Sequence, residues 1–522
     1  VLPFNKAITL WPDQIALVEG EQTFTYRQFG ARVAALCSAL GELKLPLGAR
    51  VAIIAPNGFK YMECYYAHAL TGLVLMPINY RQSAQEIASI LKDAEASALI
   101  VHPDFTENAV KVAGENKNLK AFIWLYQSGK EFDLSCPQYF YDQLIEQNEG
   151  ASLPKHAPAG EDLAQLYYTS GTTGRPKGVM LSHDNVSTHA LAAAYELGLS
   201  DQDAWFHIAP MFHLADAWSV FSVTWCGGKH VFLPYFKAKE VLETIQVRGV
   251  TMLAMVPTMA NALVNDENLN SFSYQSLRMF LTAGAPIAPD LVRKIVNAFD
   301  CQYVQYYGMT ETSPLLTLSL LKGHHESASK EEKIRIASRT GRSFLGVELR
   351  VVREDGTDVE ADDTEVGEIV ARGPGVTAGY WNQPEATEAL IRNGWLHTGD
   401  LAVIDSEGYV NVVDRKKDMI ITGGENVYST EVEYVLYEHP AVLECAVFGI
   451  PDPRWGETVK AVVVKRPEAE VSEASLIEHV KTKIAHYKAP RSVEFISELP
   501  KTGSGKIFKR GLREQHLNSL PK

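Results

Sequence analysis

The chain has 522 residues, a formal net charge of −14, 46% hydrophobic residues and 21% charged residues. That length implies two or three domains with room for large cores. The acidic balance argues against a nucleic-acid backbone as partner, and no basic cluster near either end suits a membrane surface.

In chain order, Ile15-Ala16-Leu17-Val18 and Thr23-Phe24-Thr25-Tyr26 flank Glu19-Gly20-Glu21 and read as a hairpin. Arg27 to Leu40 has helical spacing. Val51 to Ala55, Leu73 to Ile78 and Ala98 to Val101 read as strands, alternating with helices at Tyr61 to Leu70 and Gln85 to Asp93. After Leu163 to Tyr168 and Val179 to Leu181 the same rhythm resumes. Strands are expected at Trp205 to Ala209, His230 to Leu233, Met252 to Val256 and Leu277 to Leu281. Helices are expected at Leu214 to Trp225, Lys239 to Arg248 and Leu291 to Phe299. Such alternation predicts βαβ units on mainly parallel sheets, in two similar α/β halves. From about residue 339 the texture turns to β-hairpins. The charged run Asp414-Arg415-Lys416-Lys417-Asp418 marks a shift to a small α+β segment, 418–522. His324 to Glu332 reads as a mobile loop. The apolar stretch Ala69 to Ile78 is too short to span a bilayer. The six cysteines form no CxxC pair and read as buried reduced thiols. No signal peptide is read at Val1, so a cytoplasmic enzyme is expected.

The stretch Tyr168-Thr169-Ser170-Gly171-Thr172-Thr173-Gly174-Arg175-Pro176-Lys177-Gly178 packs hydroxyls, glycines and two cations between apolar runs. Glycines admit close backbone approach, hydroxyls donate, and Lys177 or Arg175 supplies positive charge, which suits phosphate. It is not a Walker A loop, because Pro176, not a Gly-Lys-Ser/Thr run, stands five residues after Gly171. By composition alone a loop of this kind is usually a plain turn, and the phosphate reading is the minority one. Three further strings follow: Tyr306-Tyr307-Gly308-Met309-Thr310-Glu311-Thr312, Gly394-Trp395-Leu396-His397-Thr398-Gly399-Asp400, and Pro500-Lys501-Thr502-Gly503-Ser504-Gly505-Lys506-Ile507.

Together and in this order they resemble the motifs of the adenylate-forming enzymes: acyl- and aryl-CoA ligases, luciferases and the adenylation domains of peptide synthetases. The resemblance covers essentially the whole chain. It implies a large N-terminal domain, 1–413, of two α/β subdomains plus a β-rich subdomain. A hinge at 414–417 pivoting on Lys417 and a mobile C-terminal domain, 418–522, complete the expected fold. It implies ATP and AMP binding by Thr169, Ser170, Gly171, Thr172, Thr173, Gly174, Lys177, Gly284, Ala285, Pro286, Tyr307, Gly308, Thr310, Asp400 and Arg415. Beside that set Glu311 would hold Mg²⁺, since a hard cation bridging phosphates takes carboxylate oxygen. Asp400 would accept from the ribose hydroxyls, and Lys506 would bridge carboxylate and ATP oxygens.

Catalytic roles are thus expected for Lys506, Thr310, Glu311 and His213. Phe212, His213, Trp218, Val256, Tyr306 and Gly308 are expected around the acyl pocket, although core packing would explain the apolar ones equally well. Peptide-synthetase domains carry an Asp where His213 stands, so an acid without an amino group is favoured; Asp216 lies three residues on. Gly423, Gly424 and Glu425 resemble the strip along the pantetheine tunnel, with a tight turn as the equal alternative. The expected reaction joins a medium- or long-chain fatty or fatty-like acid to CoA through acyl-AMP, using ATP, Mg²⁺ and coenzyme A. An aryl acid, or loading of a carrier protein, are the alternatives. Oligomeric state is left open, a homodimer included.

Overall fold

The computed structural model describes residues 2–126, 132–155, 157–169, 176–502 and 505–519. Two large sheets form the N-terminal part. The first has seven strands in the order Gln138–Phe140, Ala121–Trp124, Ala98–Val101, Arg50–Ile54, Val74–Pro77, Leu163–Thr169, Lys177–Ser182. All of its pairs are parallel except the last, a hairpin that joins Thr169 to Lys177 in register. The buried strands are near-continuous apolar runs because helices cover both faces.

The second sheet has nine strands: Arg342–Ser343, Leu315–Leu318, Gln302–Gly308, Met279–Thr282, Met252–Met255, Ala204–His207, Lys229–Phe232, Ile15–Glu19, Gln22–Thr25. The N-terminal hairpin therefore belongs to the later half of the chain. Its buried Leu17 and Val18 run parallel to His230 and Val231, which local pattern alone does not show. From Ala204–His207 the chain goes first to Lys229–Phe232 on one side, then to Met252–Met255 on the other. That reversal opens a crevice at the strand carboxyl ends, where ligands favour binding. The loops bordering it carry Phe212 and His213 on one side and Val256 on the other.

A five-stranded antiparallel sheet follows, in which Asp400 of Trp395–Ile404 lies directly across from Arg415 of Val410–Arg415. The last sheet, with Val442–Asp452 and Gly456–Lys465 at its centre, packs helices Ser429–Tyr437 and Glu473–Lys483. It has its own core of Ile420, Val432, Leu436, Val447, Val463 and Leu476, and forms a separate C-terminal sheet domain. The chain is thus α/β with large mixed sheets and a smaller terminal domain. Among the described residues no helix is long and apolar enough to cross a membrane.

One expectation is corrected. His324 to Glu332 is structured: a 3₁₀ turn, Gly323–Ser327, leads into the helix Lys330–Ala337. Ser329 caps that helix by accepting the Glu332 N–H at 3.2 Å, and Ile334, Ile336 and Ala337 bury its inner face. His325 is pinned by Glu407, 3.0 Å from its Nε2. The polar composition covers one face of a packed element, not a free loop.

Candidate functional site

The site gathers at the strand ends. Tyr307, near the end of Gln302–Gly308, donates its hydroxyl to Asp400 Oδ2 at 2.7 Å. Arg415 Nε lies 3.3 Å from the other oxygen, Oδ1, as their cross-strand register dictates. Gly308 packs against the Pro314 carbonyl, and the short turn Thr310–Thr312 follows. Within that turn Glu311 is only 6% exposed. Its Oε1 accepts the Tyr380 hydroxyl at 2.7 Å. Burial raises the Glu311 pKa, while Tyr380, Lys177 and Arg415 pull it down. Lys177 Nζ stands 4.7 Å from the Tyr380 ring, so the hairpin end and the Glu311 turn share one wall. Ser170, Gly171, Thr172, Thr173 and Gly174 lie outside the described residues.

Lys506 stands near Arg415, Asp400 and His213. Gly284 sits at φ +87°, a backbone conformation that favours glycine, and a Cβ there would meet Lys506 Cε at 2.8 Å. Ala285, followed by Pro286, accepts from Gln305 Nε2 at 3.0 Å through its carbonyl. Burial pulls the Lys506 ammonium down to about 8, with Arg415 adding and Asp400 opposing. His213 is pushed to about 3, first by burial and then by Lys506 and Arg81. It is therefore a neutral imidazole at pH 7. Its Nε2 is buried and has no partner among the described residues. Buried polar atoms rarely go unpaired, so this nitrogen fits a ligand that supplies the missing hydrogen bond.

Aromatic side chains pack around His213 and the residues after it. Phe212 packs on His213 at 4.6 Å and on Tyr80 at 4.9 Å. Trp218 Nε1 and the Tyr306 hydroxyl both donate to the Ala215 carbonyl, at 3.0 and 2.5 Å. Their rings meet edge to face at 6.2 Å, and Trp218 is hemmed in further by Trp205 and His189. Asp216, the nearest carboxylate in sequence, is turned into the core. It accepts from His207 Nδ1 at 2.6 Å and Trp205 Nε1 at 3.3 Å. Val256 borders both Gly284 and Gly505.

Some of the expected residues come together and others do not. Lys177, His213, Val256, Gly284, Tyr307, Glu311, Asp400, Arg415 and Lys506 converge. Gly423, Gly424 and Glu425 are exposed on a hairpin of the C-terminal domain. There Thr422 pairs with Glu425 across a two-residue turn, with φ +61° at Gly423 and +87° at Gly424. Both signs are those of a type I′ turn, so the glycines have a local structural cause. Lys417 lies in the turn closed by the Asp418 N–H to the Arg415 carbonyl at 2.9 Å. Sequence reasoning missed Tyr380, which anchors Glu311. Its only signal is an aromatic residue after the glycine-rich stretch Gly373–Gly379.

The model of the AMP-binding enzyme family matches residues 4–381, and that of the AMP-binding enzyme C-terminal domain matches residues 431–506. The chain belongs to the AMP-binding enzyme family. A feruloyl-CoA synthase of Amycolatopsis sp is 37% identical over 507 residues, covering 97% of this chain and 96% of that protein. A long-chain-fatty-acid–CoA ligase of Thermus thermophilus is 37% identical over 500 residues, covering 95% of this chain and 90% of that one. The crystal structure of the anthranilate CoA ligase AuaEII with anthranoyl-AMP superposes with a TM-score of 0.89 at 26% identity, covering 99% and 97%. As a member of the AMP-binding enzyme family, the protein is an acid–thiol ligase that uses ATP, Mg²⁺ and CoA. Glu311 is a buried carboxylate whose oxygen would suit Mg²⁺, and the ion would supply charge neutralisation there.

Proposed function

We propose that this cleft joins an apolar-tailed carboxylic acid to CoA in two steps, in the cytoplasm. In the first, a carboxylate oxygen attacks the α-phosphorus of ATP and pyrophosphate leaves. In the second, CoA sulfur attacks the acyl carbonyl, and AMP leaves. The observation that carries this reading is Lys506 in one cleft with the Tyr307–Asp400 pair and the orphan His213 nitrogen. Lys506 offsets the repulsion between carboxylate and triphosphate. Asp400, with Arg415 behind it, accepts from the ribose. Tyr307 and the Gly284-Ala285-Pro286 segment flank the adenine. Thr310 and the Thr169–Lys177 hairpin hold phosphates, and His213 donates to or accepts from the acyl group at the pocket mouth. Preorganised charge of this kind lowers the barrier without reorganisation during reaction.

A fatty or fatty-like tail is the first reading, because Phe212, Trp218 and Tyr306 are apolar or aromatic and Asp216 is committed elsewhere. An aryl acid is the second, favoured by the closely packed Trp218–Tyr306 floor. CoA-dependent AMP formation across acids of graded length, with benzoate-type acids included, tests both; no CoA-dependent AMP with any of them would sink the reading. Trp218→Ala is expected to move the optimum to a longer tail. Each newly buried methylene contributes about 0.8 kcal/mol, roughly fourfold in kcat/KM. An unchanged length profile would remove Trp218 from the pocket.

For the second step we assign the Gly423–Glu425 strip to the thiol arm, after the C-terminal domain turns about Lys417. Asparagine tolerates positive φ, and nothing lies within 4 Å of a Cβ on Gly424. Gly424→Asn should therefore keep the hairpin yet narrow the tunnel. Thioester formation from supplied acyl-AMP is expected to fall about tenfold or more, with acyl-AMP synthesis unchanged. A wild-type thioester rate would take Gly424 out of the tunnel.

A further inference from the structure

The helix Pro257–Val264 starts where the strand Met252–Met255 ends at the catalytic crevice. Ala260 and Leu263 bury its inner face. Thr258, Asn261 and, just past its end, Asn265 recur at helical spacing on another stripe. All three are bonded to the C-terminal domain. The Thr258 hydroxyl donates to the Gly505 carbonyl at 2.9 Å. Asn261 Nδ2 reaches the Leu443 carbonyl at 3.4 Å, and Arg466 Nη1 donates to Asn265 Oδ1 at 3.0 Å. Asn265 Nδ2 in turn donates to the Asn261 carbonyl at 2.6 Å and to its Oδ1 at 2.9 Å, so the stripe is internally braced. The partners come from three separate segments of that domain.

Gly505 is the residue before Lys506. The Lys506 N–H donates to Thr502 Oγ1 at 3.2 Å and its carbonyl accepts the Thr502 N–H at 2.7 Å. A grip on the Gly505 carbonyl therefore holds the turn from which the Lys506 side chain enters the cleft. The contacts along the stripe are hydrogen bonds between polar groups. That suits a docking that must form for one half-reaction and release for the other.

We infer that Thr258, braced by Asn261 and Asn265, is a positioning residue that docks the C-terminal domain and sets Lys506 against the nucleotide. This rests on the reading of Lys506 as the residue bridging carboxylate and ATP. It goes beyond that reading by naming what holds the lysine there.

The test compares Thr258→Val, Thr258→Ser and the double variant Asn261→Ala/Asn265→Ala with wild type and Lys506→Ala. ATP–pyrophosphate exchange is measured with the acid most active on wild type, and thioester formation with the corresponding acyl-AMP supplied. Thr258→Val is expected to slow exchange roughly 10–100-fold, the scale set by misplacing a reacting group by about an ångström. It should leave the thioester step unchanged, and Thr258→Ser should restore exchange. The double variant should show the same split in milder form. Equal loss in both half-reactions would reduce Thr258 to a fold-stabilising residue and overturn the inference. So would wild-type exchange in Thr258→Val while Lys506→Ala has lost it. If Lys506→Ala itself keeps exchange, the lysine reading fails and the docking role falls with it.

Discussion

Replacing Lys506 by alanine is expected to cut acyl-AMP formation by about a thousandfold, while thioester formation from supplied acyl-AMP stays near wild type. The asymmetry follows from the charges. Only the first step brings a carboxylate against a triphosphate, and only there is a cation between them needed. Nearby Arg415 cannot substitute, since it is tied to Asp400 across the sheet. The same residue predicts a pH limb. Burial, with Arg415 adding, lowers the lysine to about 8, and the bridging form is the protonated one. The kcat/KM of adenylation in the free enzyme should therefore fall as pH rises through about 8. Thioester formation from acyl-AMP should lack that limb. Equal loss of both half-reactions in the alanine variant, or the same limb in both, would contradict the assignment.

Much of this was legible in the chain because chemistry and fold leave local marks. The alternation of buried strands and amphipathic helices predicts the two large sheets, and Lys177, Tyr307, Glu311, Asp400 and Lys506, from the four strings, come together. What was not legible depends on distant pairing. The Ile15–Thr25 hairpin looks the same in sequence whichever sheet it joins. Only burial against His230 and Val231 assigns it to the second. His324 to Glu332 carries the composition of a loop because its charges cover one face of a helix whose other face packs. Tyr380 and Thr258 act through single hydroxyls on groups 69 and 247 residues away, and no spacing rule encodes such a partner. Asp216 lies three residues from His213 in sequence, but only the structure shows that its side chain serves His207 and Trp205.

Glu311→Gln is expected to lower Mg²⁺-dependent acyl-AMP formation by about a hundredfold or more, yet to leave the protein at least as stable. The substitution is nearly isosteric and keeps an oxygen to accept the Tyr380 hydroxyl, now at 2.7 Å from Oε1. What it removes is a charge. Burial, the largest influence, raises the Glu311 pKa from 4.5, so the native state holds the proton more tightly than the unfolded chain. The stability this gives is complete below 4.5 and is lost as pH rises through the raised native value. At pH 7 the enzyme therefore carries the cost of a buried carboxylate, which a cation would relieve on binding. Glutamine removes that cost, so the thermal midpoint of the variant should equal or exceed wild type at pH 7. The difference should close as pH falls toward 4.5. Added Mg²⁺ and ATP should raise the wild-type midpoint more than that of the variant. A variant with wild-type adenylation would show that the carboxylate does not hold the cation. A variant markedly less stable at pH 7 would show that the Glu311 charge is structural, and the site would then have to find its oxygen ligand elsewhere.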